Sequence, residues 1–392
     1  MEPVSRRISE LGQLFQPVQA FFDRSQRARE RSGEEACDFR AGDPQELAMP
    51  AYVEALRAGA EARTPDWFAY TQSLLPASRT VAAALRERTG LAFGHRNVTM
   101  TNGAIAGIAV SVAAIADPDD EVIIVSPPHF LYEPLIRAQG GRAVRVAMDT
   151  TTFDLDVDAV QRAITPRTRA VIVNTPHNPT GKIYPPKTLE RLGAVLNEAS
   201  ERTGRAIYVL ADEAYCRILF DGHSFHSSAA AYPRTLVIYT YGKTLLAPGQ
   251  RLGYVAVHPE MPEGRSVLQA VQNAQLLLGW AFPNALLQHA LPELEPMSID
   301  VTALQRKRDR MVEALRGFGY ELHVPEATFY LLVRSPLKDD EAFTGRLADD
   351  GVLVMPGRLL EAPGFFRISL TASDPMIERS LPVFERAIKE VN

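Results

Sequence analysis

Short runs of adjacent apolar residues recur along the chain, at Glu121 to Ser126 (EVIIVS), Arg169 to Asn174 (RAVIVN), Ala206 to Ala211 (AIYVLA), Thr235 to Tyr239 (TLVIY) and Leu252 to Val257 (LGYVAV). A strand whose neighbouring residues are all apolar is buried on both faces. Between the runs the spacing changes to that of a helix, as in Lys187 to Ser200, where Leu189, Leu192 and Leu196 stand three and four apart. Strands alternating with helices predict an α/β fold with a mainly parallel sheet flanked by helices, and such sheets bind ligands beyond the carboxyl ends of their strands. From about Pro292 the texture differs: a long charged helix around Ala303 to Leu315, strand candidates at Thr328 to Val333 and Phe365 to Leu370, then a closing helix. That change predicts a separate, smaller domain with a boundary near residue 290. No repeat, low-complexity stretch or Gly/Ser tether lies between the two parts, so they are expected to share an interface.

Composition narrows the class of function. A chain of 392 residues with 46% hydrophobic and 23% charged residues can bury a large core, in two or three domains. The net charge of -5 argues against nucleic acid or an anionic membrane surface, both of which need concentrated Lys and Arg. Cys37 and Cys216 are the only cysteines and form no CxxC or CxxH spacing, so neither a disulfide framework nor a metal site is expected, and a reducing compartment fits. The opening MEPVSRRISELGQLFQPVQAFF lacks the long apolar core of a secretion signal, and no stretch approaches the roughly 18 consecutive apolar residues of a membrane span. A soluble, cytoplasmic protein acting on a small molecule is the expectation.

Several polar residues close the apolar runs, and each has a bland explanation when taken alone. NTPHNPTG (Asn174 to Gly181) reads as an Asn-Pro turn. Asp212 in ADEAY reads as a helix N-cap, with the phenol of Tyr215 three residues on. Lys243, after TLVIYTYG, could snorkel to the surface, but an ammonium next to a core must otherwise be solvated, paired or chemically changed. Arg251 lies in PGQRLGY, whose glycines point to close backbone packing. TNGAIAG, after the strand candidate Val98 to Met100, would open a helix whose N-terminus favours an anion; its Gly103 and Gly107 also fit a plain packing face. Arg367, in FFRISL, sits among apolar neighbours and needs a bidentate carboxylate, from the protein or from a ligand.

In this order, after strand candidates, the segments resemble the fold-type I enzymes that use pyridoxal 5'-phosphate (PLP), specifically the class I/II aminotransferases. NxPxNPTG is matched by Asn174 to Gly181, DExY by Asp212 to Tyr215, and the SxxKxxxxPGxRxGY type of segment by Thr240 to Tyr254, with matching segments from about Gly42 to Arg367. The resemblance implies a large PLP-binding domain over 46–290 and a smaller α+β domain from 1–45 and 291–392. It implies a Schiff base between PLP and Lys243, with Asp212 as the acid partner of the pyridine nitrogen. Tyr215 and Asn178 are then hydrogen-bond partners of the ring's phenolic oxygen. The phosphate is assigned to the amides of Gly103, Ala104 and Ile105 and to the side chains of Thr240 and Arg251. The substrate's α-carboxylate falls to Arg367, with Gly42 and Asn178 completing its site. Tyr70, in FAYTQ, resembles the tyrosine given to the neighbouring subunit's phosphate site, which implies a homodimer with shared active sites. His129 occupies the position of the aromatic ring that stacks on PLP and is either a stacking replacement or an added acid-base group, with Phe130 as the alternative stacker. Two positions depart from the family: Gly242 replaces the serine before the lysine, and Leu75 replaces a glycine in the segment LLPASR.

The reaction so implied is amino transfer from an amino acid to a 2-oxo acid by a ping-pong mechanism, with freed Lys243 as the general base at Cα. Another PLP reaction on the same scaffold, such as a β-lyase, cyclase or oxidase, is the alternative. A nicotinamide dehydrogenase is disfavoured because no GxGxxG follows a strand, and a PLP-sensing regulator because too little chain precedes Gly42 for a DNA-binding domain.

Overall fold

The computed structural model of the chain describes residues 4–391. Its central sheet has seven strands: β1 (Val98–Thr101), β2 (Glu121–Ser126), β3 (Arg142–Ala147), β4 (Thr168–Asn174), β5 (Tyr208–Asp212), β6 (Thr235–Thr240) and β7 (Gly253–Val257). Their spatial order is β1-β7-β6-β5-β4-β2-β3. β7 is antiparallel to both of its neighbours, β1 and β6, while the remaining pairs are parallel. The apolar run at Leu252 to Val257 is thus the one reversed strand, and nothing in such a run encodes its direction. β3 escapes an apolar-run search for another reason: it is an edge strand, half solvated, whose RAVRVA buries only Val146 fully.

The helices form where their chemistry dictates. Ala104–Ile115 is apolar on every side because it lies between the sheet and the helix Gly264–Leu277. Pro186–Thr203 starts on a proline, which its first turn tolerates, and stops at Gly204 in the left-handed region with φ +67°. Its Leu189, Leu192 and Leu196 are buried together, at roughly 1.5–3 kcal/mol each.

A second, antiparallel sheet contains β8 (Tyr330–Arg334), β9 (Met355–Pro356) and β10 (Phe365–Ser369) in the order β9-β10-β8. The helices Val301–Phe318 and Asp374–Lys389 cover it, with Met311, Leu315, Leu331, Phe366 and Phe384 in one core. Cys37–Asp38 pairs in parallel with Val352–Leu353 as a separate two-stranded sheet, which ties the N-terminal segment to this part of the chain. Before it runs a helix, Arg6–Ser32, that the sequence pattern did not single out. It buries only Val18, Phe21, Ser25 and Ala28, a stripe too narrow to stand out among its charged residues. Among the described residues no helix is long and apolar enough to cross a membrane.

Candidate active site

Strand ends collect the polar residues at one edge of the large sheet. Asn174 ends β4, Asp212 ends β5 and Thr240 ends β6, and the reversed direction of β7 brings its start, with Arg251 just before it, to the same edge. Close approach then demands glycine. A Cβ on Gly253 would lie 2.2 Å from the Tyr239 carbonyl oxygen and 2.9 Å from Gly103 Cα. Gly103 itself has φ +85°, and a Cβ there would meet Arg251 Nη2 at 2.6 Å and Thr240 Oγ1 at 3.4 Å. Gly103, Thr240 and Arg251 therefore form one cradle at the start of the helix Ala104–Ile115, where the first turn leaves backbone N–H groups free. Arg251 donates to the Pro248 carbonyl at 2.5 Å and has no carboxylate partner among the described residues, while desolvation holds its pKa below the usual value.

Beside the cradle stands the carboxylate of Asp212. It accepts from Tyr132 Oη at 2.5 Å and from the Ala214 amide at 3.3 Å, and it is no helix N-cap because a turn, not a helix, follows it. Burial pushes its pKa up, against the Tyr132 hydrogen bond and the nearby Lys243. The same burial, with Asp212 adjacent, pushes the Tyr132 phenol well above its ordinary value. Lys243 lies in the short helix Tyr241–Thr244, with Nζ 5.8 Å from the ring centroids of Tyr215 and Phe329. It too has no carboxylate within ion-pair distance among the described residues. The departure at Gly242 has a packing reason: a Cβ there would stand 3.0 Å from Pro248 Cα.

Arg367 lies in β10 and is only 3% exposed. Its Nη1 donates to Asn178 Oδ1 and its Nη2 to the Arg40 carbonyl, each at 3.1 Å, while Nε is buried without a partner. No carboxylate neutralises it among the described residues. Asn178 is fixed in turn, its amide donating to Asn174 Oδ1 at 2.9 Å, and Asn174 donates to the Asp212 carbonyl at 3.0 Å. Tyr330 stacks under the guanidinium with 4.0 Å from Cζ to the ring centroid. Burial works to raise the Tyr330 phenol, yet Arg367 and Lys243 outweigh it and hold the pKa below the ordinary value. Gly42 closes this side, because a Cβ there would lie 2.4 Å from Phe329 Cε2 and 2.7 Å from Tyr330 Oη.

Of the residues singled out in the sequence, Ala104, Ile105, His129, Asn178, Asp212, Tyr215, Thr240, Lys243 and Arg251 line one cavity of about 100 Å³. Gly103 backs it, and Arg367 with Gly42 adjoins it through Asn178 and Tyr330. Larger hollows, of about 370 Å³ beside Leu47 and 670 Å³ beside Arg88, contain none of these residues. His129 lines the cavity with its ring 4.5 Å from that of Phe130; burial first, and then Lys243 and Arg367, depress its pKa to about 3. Tyr70 stands apart, 90% exposed against Phe282. Three participants were given no role from the sequence: Tyr132, Tyr330 and Asn174, the residue that opens NTPHNPTG. Tyr132 and Tyr330 act on side chains across the fold, and no local signal marks such a partner, while Asn174 holds the Asp212 carbonyl and the Asn178 backbone amide. The arrangement suits PLP: a cradle with an unpaired arginine for a phosphate, a buried acid for a ring nitrogen, an amine between them, and an unpaired arginine for a carboxylate.

The family model described as aminotransferase class I and II matches residues 34–382. The aspartate/prephenate aminotransferase of Thermus thermophilus is 31% identical over 364 residues, covering 91% of this chain and 92% of that protein. The arginine–pyruvate transaminase of Pseudomonas aeruginosa is 30% identical over 375 residues, 90% of each chain. A crystal structure of an amino transferase from Eubacterium rectale superposes with a TM-score of 0.93 at 30% identity and covers 100% of both chains.

Proposed function

The chain belongs to the class I and II aminotransferases, and on that premise we propose that the cleft at Lys243 binds PLP and carries out the amino transfer. The protein is an aminotransferase, and its family is PLP-dependent. The observation that carries the assignment of the cleft is Arg367, a buried guanidinium with no carboxylate partner among the described residues, adjoining an amine and an acid that form no ion pair there either. A buried charge left without a partner is costly, so such a residue is retained for a ligand.

When bound, PLP supplies an aldehyde that takes up amino groups and a ring that draws electrons from the substrate's Cα. Lys243 would anchor it covalently, and its amine is the group that would move the proton at Cα. Asp212, held by Tyr132 and Ala214, stabilises a proton on the ring nitrogen, and that positive charge offsets the burial that raises the Asp212 pKa. Tyr215 and Asn178 bind the phenolic oxygen; Thr240, Arg251 and the amides of Gly103, Ala104 and Ile105 bind the phosphate. Arg367, fixed by Asn178 and the Arg40 carbonyl, orients the substrate through its α-carboxylate. His129 serves as the ring that covers the cofactor. Arg367, Tyr330, the Arg40 carbonyl and Gly42 come from the segments 1–45 and 291–392, and the residues that line the cavity around Lys243 from 46–290, so that division goes with this reading. The exposed group Phe68, Tyr70, Leu277 and Phe282 supports a homodimer in which Tyr70 reaches the second copy's phosphate. The free, buried Cys37 and Cys216 suit a reducing compartment such as the cytoplasm.

Lys243→Ala tests the assignment. The variant, purified with PLP, is expected to lose both the yellow absorbance of the lysine-bound cofactor and all turnover; a yellow, active variant refutes it.

A further inference from the structure

Asn174 lines the cleft, yet no group of the cofactor or substrate falls to it in the assignment above. It ends β4 beside Asp212 at the end of β5, the last register pair of the two strands. Beyond that pair the ladder weakens, because the Thr175 amide reaches the Asp212 carbonyl only at 3.3 Å. There the Asn174 side chain takes over. Its Nδ2 donates to the same Asp212 carbonyl at 3.0 Å, and its Oδ1 accepts from the Asn178 amide at 2.9 Å. The loop so held, Thr175 to Pro179, includes Pro176 and Pro179, which have no N–H to donate, so few backbone bonds can fix it. It is nonetheless packed in the interior: Asn174, Thr175, His177 and Asn178 are each at most 7% exposed.

The residue at the far end of this tie has two duties. Asn178 Oδ1 accepts from Arg367 Nη1 at 3.1 Å, which leaves its Nδ2 for the phenolic oxygen in the cleft assigned above. Both ends belong to one planar amide, so a shift of the Asn178 backbone moves them together. Asn174 suits its own position for a similar reason. A side-chain amide carries a donor and an acceptor that diverge from one plane, and can join a carbonyl on one side to an N–H on the other. An aspartate in its place would offer acceptors alone and turn one of them against the Asp212 carbonyl.

We propose that Asn174 is a positioning residue: by joining the end of the Asp212 strand to the Asn178 amide, it sets the reach of Asn178 toward the cofactor's phenolic oxygen and toward Arg367. The inference rests on the cleft assigned above, and it is read from a colour instead of a rate. A donor on the phenolic oxygen stabilises the negative charge left when the imine of the lysine-bound cofactor loses its proton, and so lowers the pH at which the yellow band fades. In the holoenzyme, Asn174→Ala is expected to raise that pH by about half a unit to one unit, the effect of one weakened hydrogen bond. Asn178→Ala should raise it at least as far. In the Asn178→Ala background the Asn174 substitution should then add less than about 0.2 unit, because its effect runs through Asn178. Asn174→Gln keeps an amide but stands it one methylene farther out; it should move the band in the same direction, and it supplies the test if the alanine variant does not fold. A band that fades at the wild-type pH in the Asn174 variants overturns the proposal, whatever their melting temperatures, and so do shifts that add in the double variant. A wild-type protein that takes up PLP without any yellow band overturns the cleft assignment itself, and the role of Asn174 with it.

Discussion

Two buried charged regions begin one residue apart. Asp212 enters the cleft, where among the described residues it is the one carboxylate of the lining, together with the cations Lys243 and Arg251 and with Arg367 adjoining, and it forms an ion pair with none of them. Glu213 enters a different region, where Arg88 lies near it and Arg217 pairs with Glu295 at 3.4 Å. Arg88 there donates to Tyr254 Oη at 2.8 Å, and Ser227 donates to Glu213 at 2.5 Å. Two arginines thus meet two carboxylates. One region balances its charges on folding; the other leaves cations uncovered. A protein that spends stability on the second kind of site has a ligand to complete it, so substitutions in the two regions should separate activity from stability.

The largest separation is expected at Arg367. Arg367→Met keeps bulk beneath Asn178 and removes a buried charge that no carboxylate offsets, so the thermal midpoint should hold or rise. The substrate loses its anchor, and kcat/KM should fall roughly a thousandfold or more, about 4 kcal/mol. Steady-state kinetics and a melting curve on one sample check both halves. A variant that melts much earlier would make Arg367 a structural cation and erase the contrast with the region around Glu213.

The contrast also explains how much could be read in the sequence. Asn178, Asp212, Thr240, Lys243 and Arg251 were legible because a buried apolar run that ends in a charged or turn residue marks a strand reaching a ligand-bearing edge. Arg367 was legible because a guanidinium among apolar neighbours demands an anion. Tyr132 and Tyr330 were not, since their roles depend on which side chain lies across the cleft. The reversal of β7 was hidden because apolar runs carry no direction, and the half-exposed β3 because its alternation is weak. The N-terminal helix was hidden because four buried positions among many charged ones hardly raise its periodicity. It is held instead through Arg40, which donates to Ser25 at 2.7 Å and to both oxygens of Asp38.

An intermediate effect, on stability and with a pH signature, is expected in the balanced region. Burial pushes the Glu213 carboxyl up to about 7, against the pull of Arg88 and Ser227. An acid whose folded pKa is raised favours the fold while protonated, so its contribution is complete below its unfolded value and fades as pH rises through 7. The loss from pH 4.5 to 7 is on the order of 3 kcal/mol. Glu213→Gln, which cannot ionise, should flatten that part of the stability-against-pH curve, measured by denaturant unfolding, and leave turnover at pH 7 within a few-fold. Equal slopes in the two proteins would remove Glu213 from the account.

The smallest effect is expected at His129, where the uncovered cations of the cleft act on a neutral neighbour. Its Nδ1 accepts from the Leu131 amide at 3.3 Å, which puts the ring proton on Nε2, and the pKa near 3 keeps the ring uncharged through the working range. A ring that stays neutral can cover the cofactor, but it adds no limb to the pH–rate profile between about 5 and 9. His129→Phe preserves an aromatic face and discards the titration. Its kcat/KM should therefore stay within roughly fivefold of the wild type, about 1 kcal/mol, with both limbs of the profile unmoved. A proton carrier at this position behaves otherwise: its loss costs on the order of 10² to 10⁴ in rate and deletes a limb. The two outcomes differ by more than tenfold and in the shape of the curve, so one pH series on one variant decides whether His129 stacks or carries a proton.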